Sequence, residues 1–174
     1  MPASTLTTAR LTLTPATPAD HPTLLAHWTT PAVREFLFDG KTLTPEEISH
    51  TITTSQHTFT TAGHGLWLIT TDTFIGTAGL RPLDDLGQEI YYSLTPESWR
   101  RGYASEAAHA VIDYAFETLR LPAVFGEVDE ANTASAVLLE RLGLTRFATV
   151  PGELGPLLRF RRYASVDGGN TPVR

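Results

Sequence analysis

Leu94–Thr95–Pro96–Glu97–Ser98–Trp99–Arg100–Arg101–Gly102–Tyr103–Ala104–Ser105–Glu106 joins an apolar run to the strongest helix pattern in the chain. The preceding residues, 88–94, are rich in aromatic and β-branched side chains, the signature of a strand. Beyond the segment, Ala108, Val111, Ile112, Ala115 and Leu119 recur at helical spacing and lay one apolar stripe along 104–119. Pro96 breaks the ladder and Gly102 allows the backbone to approach a ligand closely. A helix start offers unpaired amides with positive partial charge, so the combination is a cradle for phosphate oxygens, with Arg100 and Arg101 adding charge. The same residues fit equally well an ordinary strand–turn–helix with two solvated arginines. They contain neither the Gly-Lys-Ser/Thr of a Walker loop nor a G-x-G-x-x-G fingerprint.

Toward the N-terminus, Leu11 and Leu13 alternate with Thr12 and Thr14 as a half-buried strand that Pro15 ends. Residues 19–28 read as a short helix, and Pro31 can open another through 36. In Thr44–Pro45–Glu46–Glu47 the threonine caps, the proline takes the first helical position and Glu47 reaches back to the cap amide. The threonine-rich helix that follows, to about residue 59, has weak propensity and relies on packing of Ile48, Ile52 and Phe59. Residues 66–69 and 74–78 form a hairpin around Thr71–Asp72–Thr73. Toward the C-terminus, 124–128 is a strand and 133–142 a helix that Gly143 can terminate. Strands at 146–150 and 157–163 close the pattern. The expected architecture is a mixed α/β sheet with helices on both faces.

A chain of 174 residues, 41% hydrophobic and 18% charged, fits one compact domain over 1–164, with 165–174 as a flexible tail. The absence of cysteine removes disulfides, thiolate metal sites and a cysteine nucleophile. A net charge of -6 argues against a nucleic-acid partner. Arg100–Arg101 and Arg159, Arg161 and Arg162 are local exceptions that leave room for an anionic ligand. The first twelve residues do not read as a signal peptide, and no apolar run approaches the roughly 20 residues of a membrane span, so a cytoplasmic location is expected. The six histidines show no metal spacing, and surface positions are expected for them, including His50 and His57 two turns apart on one helix. Trp28, Phe36, Phe38 and Trp67 suit either an acceptor pocket or the core.

The segment ending Gly102–Tyr103–Ala104 resembles the pyrophosphate-binding loop of the GNAT acetyltransferases, [Gln/Arg]-x-x-Gly-x-[Gly/Ala], with Trp99 at the first position. The longer Trp-x-x-Gly-Tyr-Ala-[Ser/Thr]-Glu-Ala pattern is similar to the branch of the ribosomal-protein N-terminal-alanine acetylases. Val128–Asp129–Glu130–Ala131–Asn132–Thr133–Ala134–Ser135 and Leu139–Glu140–Arg141–Leu142–Gly143–Leu144 resemble that branch's Asn-x-x-Ser…Glu-[Lys/Arg]-Leu-Gly-Phe block. Tyr91 stands where glycine is frequent, which narrows the expected acceptor channel. The resemblance implies an α+β domain with a largely antiparallel sheet of six to seven strands. In its centre a bulged strand at 89–94 parts from the strand at 124–128.

The resemblance also implies an N-acetyltransferase using acetyl-CoA, with no metal, acting on a small-molecule or peptide amine, and a possible homodimer. The pantetheine arm would lie in the gap on amides near Tyr92, Ser93 and Leu94, the pyrophosphate on Arg100, Arg101, Gly102, Tyr103, Ala104 and Ser105. Glu89 is the candidate base, set against a plain solvated strand-end glutamate. Asn132 and Ser135 have the spacing of a helix cap. The resemblance adds a pantetheine contact for Asn132 and a proton-donor role for Ser135, ranked ahead of Tyr91, Tyr92 and Tyr103. Two other readings remain at this point: a catalytically silent acyl-CoA-binding domain, and a nucleotide-binding α/β protein unrelated to acyl transfer.

Overall fold

The computed structural model describes residues 4–165, so the expected tail over 165–174 lies, apart from its first residue, outside them. The chain begins with β1 (Leu6–Thr7) and β2 (Thr12–Pro15), then α1 (His21–Thr29), α2 (Pro31–Arg34) and α3 (Pro45–Ala62). A meander follows: β3 (Leu66–Thr70), β4 (Phe74–Leu83) and β5 (Gly87–Leu94). The rest is α4 (Tyr103–Glu117), β6 (Ala123–Asp129), α5 (Thr133–Arg141), β7 (Thr145–Gly152) and β8 (Gly155–Tyr163).

Local chemistry sets the helix ends. Thr44 Oγ1 accepts the Glu47 amide at 3.2 Å while Glu47 Oε2 accepts the Thr44 amide at 2.7 Å, so both ends of the capping box form and α3 starts at Pro45. Gly63 closes that helix in the left-handed region, φ 79°, its amide donating to the Phe59 carbonyl. The threonines that weaken α3 return their hydroxyls to carbonyls one turn back, as Thr51 does to Glu47 and Thr61 to His57. Burial of Ile48, Ile52 and Phe59 holds the helix in place.

The eight strands among the described residues form one sheet in the order β1-β2-β3-β4-β5-β6-β8-β7. Seven strands are legible in the sequence; the eighth, β1, is two residues long and leaves no alternation to read. Every neighbouring pair is antiparallel except β5 and β6, and a parallel pair needs a long crossover, which α4 supplies. Trp67 and Ile69 face the cluster containing α4 and α5, whereas Leu66 and Leu68 face the one containing α1, α2 and α3. A strand buried on both faces explains the uninterrupted apolar run 66–69. Trp67 sits edge-on to Phe59 and Tyr114, with ring centroids 4.7 and 5.8 Å away, and each such pair adds about 1 kcal/mol beyond area burial. At the outer edge, β7 carries a register break between Arg146 and Ala148, and Pro151 lies near its end.

The expected bulge in β5 is absent. Pairing with β4 runs unbroken from Gly76 opposite Leu94 to Leu83 opposite Gly87, so β5 keeps its register on that side. The parting lies on the other side alone, where β5 and β6 share a single bridge, Glu89 opposite Phe125.

Histidines are also buried, against expectation: His27 and His64 are each 5% exposed, while His50 and His57 are exposed on α3. His27 Nε2 lies 2.8 Å from Ser93 Oγ, which in turn lies 2.9 Å from Thr77 Oγ1, pinning α1 to β5 and β4. Burial lowers the His27 pKa from 6.5 to about 4. The unfolded chain therefore takes up a proton below about 6.5 that the folded chain refuses, and stability is lost as pH falls through that window. From this residue alone the loss is about 2 kcal/mol near pH 5. Urea midpoints at neutral pH and near pH 5 are expected to differ less in His27→Gln than in the parent protein; equal pH slopes would contradict the assignment.

Candidate active site

The site grows from the single bridge between β5 and β6. The Thr95 amide donates to the Ile75 carbonyl at 2.8 Å, which fixes the alternation along β5: odd residues bond to β4 and even ones turn to the other side. Tyr92 and Leu94 thus aim their backbone at β6, and past Glu89 no ladder partner meets them. Ser93, expected to offer its amide to a ligand, instead turns it into the β4 ladder. The Leu94 carbonyl is taken by Trp99 Nε1–H at 2.9 Å, which folds the start of the turn back onto the strand end.

A cleft of about 320 Å³ passes through this gap, from Asn132, Ser135 and Leu139 on one side of the sheet to the loop 36–39 on the other. Gly126 lets α5 close onto β6, since a β-carbon there would meet Leu139 at 2.8 Å. On the α5 side, Tyr92 Oη and Ser135 Oγ lie 2.9 Å apart. Burial raises the Tyr92 phenol to about 12, opposed by the Ser135 bond, so it keeps its proton at neutral pH. Asn132 Oδ1 accepts the Ser135 amide at 3.3 Å, which makes Asn132 a helix cap as well as a cleft-lining residue.

At the strand–turn–helix, Gly102 is the N-cap of α4 with φ 78°, in the left-handed region, and no side chain caps the helix. Tyr103, Ala104 and Ser105 occupy the first turn, where amides have no intrahelical acceptor. Arg100 also has positive φ, 60°, and the Arg100 and Arg101 side chains are exposed. Sequence reading missed what anchors this loop. Arg10, between β1 and β2, donates Nη1–H to the Arg101 carbonyl at 2.9 Å and Nε–H to Glu106 at 2.7 Å, and lies over the Tyr103 ring. Thr8 and the Arg10 amide also bond to Glu106. A contact spanning 96 residues leaves no local trace in the sequence.

Glu89 is not a solvated strand-end residue. It is 3% exposed and ion-paired to Arg81, Nε to Oε1 2.6 Å, on the face of β5 opposite Tyr92. Burial raises its pKa against the pull of Arg81. Arg81 lines the cleft, whereas Glu89 stands behind it. Tyr91 lines the same side and fills the space Gly79 leaves, where a β-carbon would fall 2.6 Å from Oη. The wall is completed by Phe36 and Phe38, two of the four aromatics that suited an acceptor pocket or the core, and by Asp39, Glu127 and Asp129, which the sequence did not single out. Trp28 and Trp67 belong to the core.

The acetyltransferase (GNAT) domain family model matches residues 10–145. Over 156 residues the chain is 30% identical to the FsC-acetyl coenzyme A-N(2)-transacetylase of Aspergillus fumigatus, covering 83% of this chain and 66% of that protein. A 78-residue stretch is 38% identical to the uncharacterized N-acetyltransferase p20 of Bacillus licheniformis, 44% of each. The chain thus spans 44% to 66% of the length of these curated relatives. The solved acetyltransferase of Agrobacterium tumefaciens superposes with a TM-score of 0.80 at 30% identity, over 94% of this chain and 96% of that one. The fold is shared with RimL, a ribosomal L7/L12 alpha-N-protein acetyltransferase solved with coenzyme A, at TM-score 0.78 and 15% identity, over 92% and 98% of the two chains.

Two substitutions test the loop by calorimetric titration with coenzyme A. Gly102→Asp places a β-carbon at positive φ and a negative charge beside the bare helix mouth, and is expected to abolish binding. Arg10→Ala releases the Arg101 carbonyl and is expected to weaken binding by roughly tenfold, the effect of losing one charged hydrogen bond. Unchanged affinity in both would remove the loop from the site.

Proposed function

This chain belongs to the GNAT acetyltransferase family, and we propose that it moves the acetyl group of acetyl-CoA to a primary amine by direct attack. The observation that carries this reading is the cleft crossing the sheet where β5 and β6 part, with unpaired backbone on one wall and the Tyr92–Ser135 pair beside it. A gap with free strand backbone suits an extended amide-bearing arm, which bonds as an added strand does. The residues present fit such an occupant. The Tyr92 and Leu94 amides and Asn132 would hold the pantetheine arm, and the turn 100–105 with the start of α4 would hold the pyrophosphate.

In the transfer, the amine nitrogen forms a bond to the acetyl carbon as the carbon–sulfur bond breaks. The nitrogen gives up a proton and the sulfur gains one. An amide of β5 directed at the carbonyl oxygen supplies a preorganised donor, worth about 3 kcal/mol in comparable sites. Tyr92 and Ser135 act together at the sulfur: the phenol keeps its proton at neutral pH and the serine hydroxyl relays it. Serine alone is a poor acid, and the Tyr92 phenol, although burial raises its pKa, is the stronger acid of the two. On the opposite side Glu89, held by Arg81, is a candidate base acting through water, and Arg81 stands between it and the cleft. The acceptor is a small-molecule amine or a peptide N-terminus.

Ser135→Ala and Tyr92→Phe are each expected to lower kcat by roughly a hundredfold while leaving coenzyme A affinity within about twofold. Thiol release from acetyl-CoA in the presence of an amine reads the first quantity and calorimetry the second. Full turnover in both variants would exclude the pair from proton transfer.

A further inference from the structure

The far wall of the cleft carries charge that the acetyl-transfer reading has not used. Arg81 on that wall is neutralised by Glu89 at 2.6 Å, and the lining Glu127 is paired at 2.6 Å with Arg159, which stands outside the cleft and also holds Asp84. Two carboxylates are left over. Asp39, on the loop between α2 and α3, makes no ion pair among the described residues. Asp129, at the end of β6, is 7% exposed, lines the cleft, and leaves Oδ1 without a hydrogen-bond partner. A carboxylate oxygen that no protein group satisfies, on the wall of a cleft, is open to a donor from outside the fold. Burial, with Asp39 and Glu127 nearby, already raises the Asp129 pKa.

Phe36 and Phe38 line the same cleft as these carboxylates, and aromatic rings together with anionic groups suit a cation. Arg34, whose Nη1–H holds the Gly40 carbonyl at 2.6 Å, does not line the cleft.

We propose that Asp129, with Asp39 at the loop, receives the acceptor as an ammonium, and that the chain selects amines with no carboxylate beside the reacting nitrogen. The inference names the substrate class of the site proposed above and rests on that reading. A free carboxylate next to the amine would be brought against Asp129 and Asp39 and repelled, whereas an amide or a peptide bond at the same place would not. A peptide N-terminus or a simple amine is accepted; a free α-amino acid is rejected.

The test compares L-phenylalaninamide with L-phenylalanine, which differ only in that carboxylate. Thiol release from acetyl-CoA measures transfer, and calorimetry on protein saturated with coenzyme A measures acceptor binding. The amide is expected to have a kcat/KM at least about tenfold higher. Asp129→Asn is expected to lower that value for the amide and shrink the ratio toward one. Asp39→Asn changes an exposed loop residue, and is expected to shrink the ratio with folding intact. Equal use of the two acceptors, or preference for the free acid, overturns the proposal while leaving acetyl transfer standing. Binding of the amide that depends on Asp129, without thiol release, supports the cation site and overturns the transfer reading. A ratio unchanged in both variants, or no binding of the amide, overturns the cation site.

Discussion

Backbone amides inside a sheet must find partners, and the parting of β5 from β6 leaves those of Tyr92 and Leu94 without any from the ladder. The rest of the architecture follows from keeping that gap open. β5 stays locked to β4 along its whole length, so the strain of parting falls on one side only. α5 lies on β6 through Gly126, and Ser135 at its start reaches across to Tyr92. α4, the obligatory crossover of a parallel pair, begins just past the end of β5 and so delivers a bare helix mouth to the same place. One departure from regular pairing thus generates a slot, a proton relay and an anion cradle together.

The two faces of the sheet give the slot two chemistries. On the α4–α5 face the lining is neutral and polar: Tyr92, Asn132 and Ser135. On the other it is charged, with Arg81, Glu127 and Asp129 projecting beside Phe36, Phe38 and Asp39. The alternation of side chains along β5 and β6 produces this division within the sheet, and the loop 36–39 adds to the charged side. It also explains why Glu89 and Tyr92, three residues apart, end on opposite sides of the sheet.

Sequence reading recovered what local chemistry dictates. The capping box at Thr44, the terminating Gly143, the apolar stripe of α4 and the glycine turn at Gly102 all lie within a few residues of what they control. It did not recover contacts made across the fold. No motif or periodicity marks Arg10, yet it fastens the turn at Arg101 and Glu106. Asp129 falls inside the block at 128–135 with no role of its own in the sequence, and only the sheet shows it buried with an idle oxygen. His27 reads as a surface residue because polarity predicts exposure on average, until Ser93 is brought within 2.8 Å. The β5 bulge fails for a different reason: a gap can open by loss of pairing on one side, and no residue pattern distinguishes that from an inserted residue.

The margins of the sheet bear on how the protein meets other extended chains. A strand's unpaired edge is a template on which a foreign segment can polymerise. At one margin β1 offers two residues, too few to nucleate addition. At the other, the register break in β7 and its proline twist and interrupt the row of donors. With both borders blunted, the invitation to an incoming chain is confined to the interior gap, where its reach is limited by the two faces and its outcome is a bound substrate instead of an aggregate.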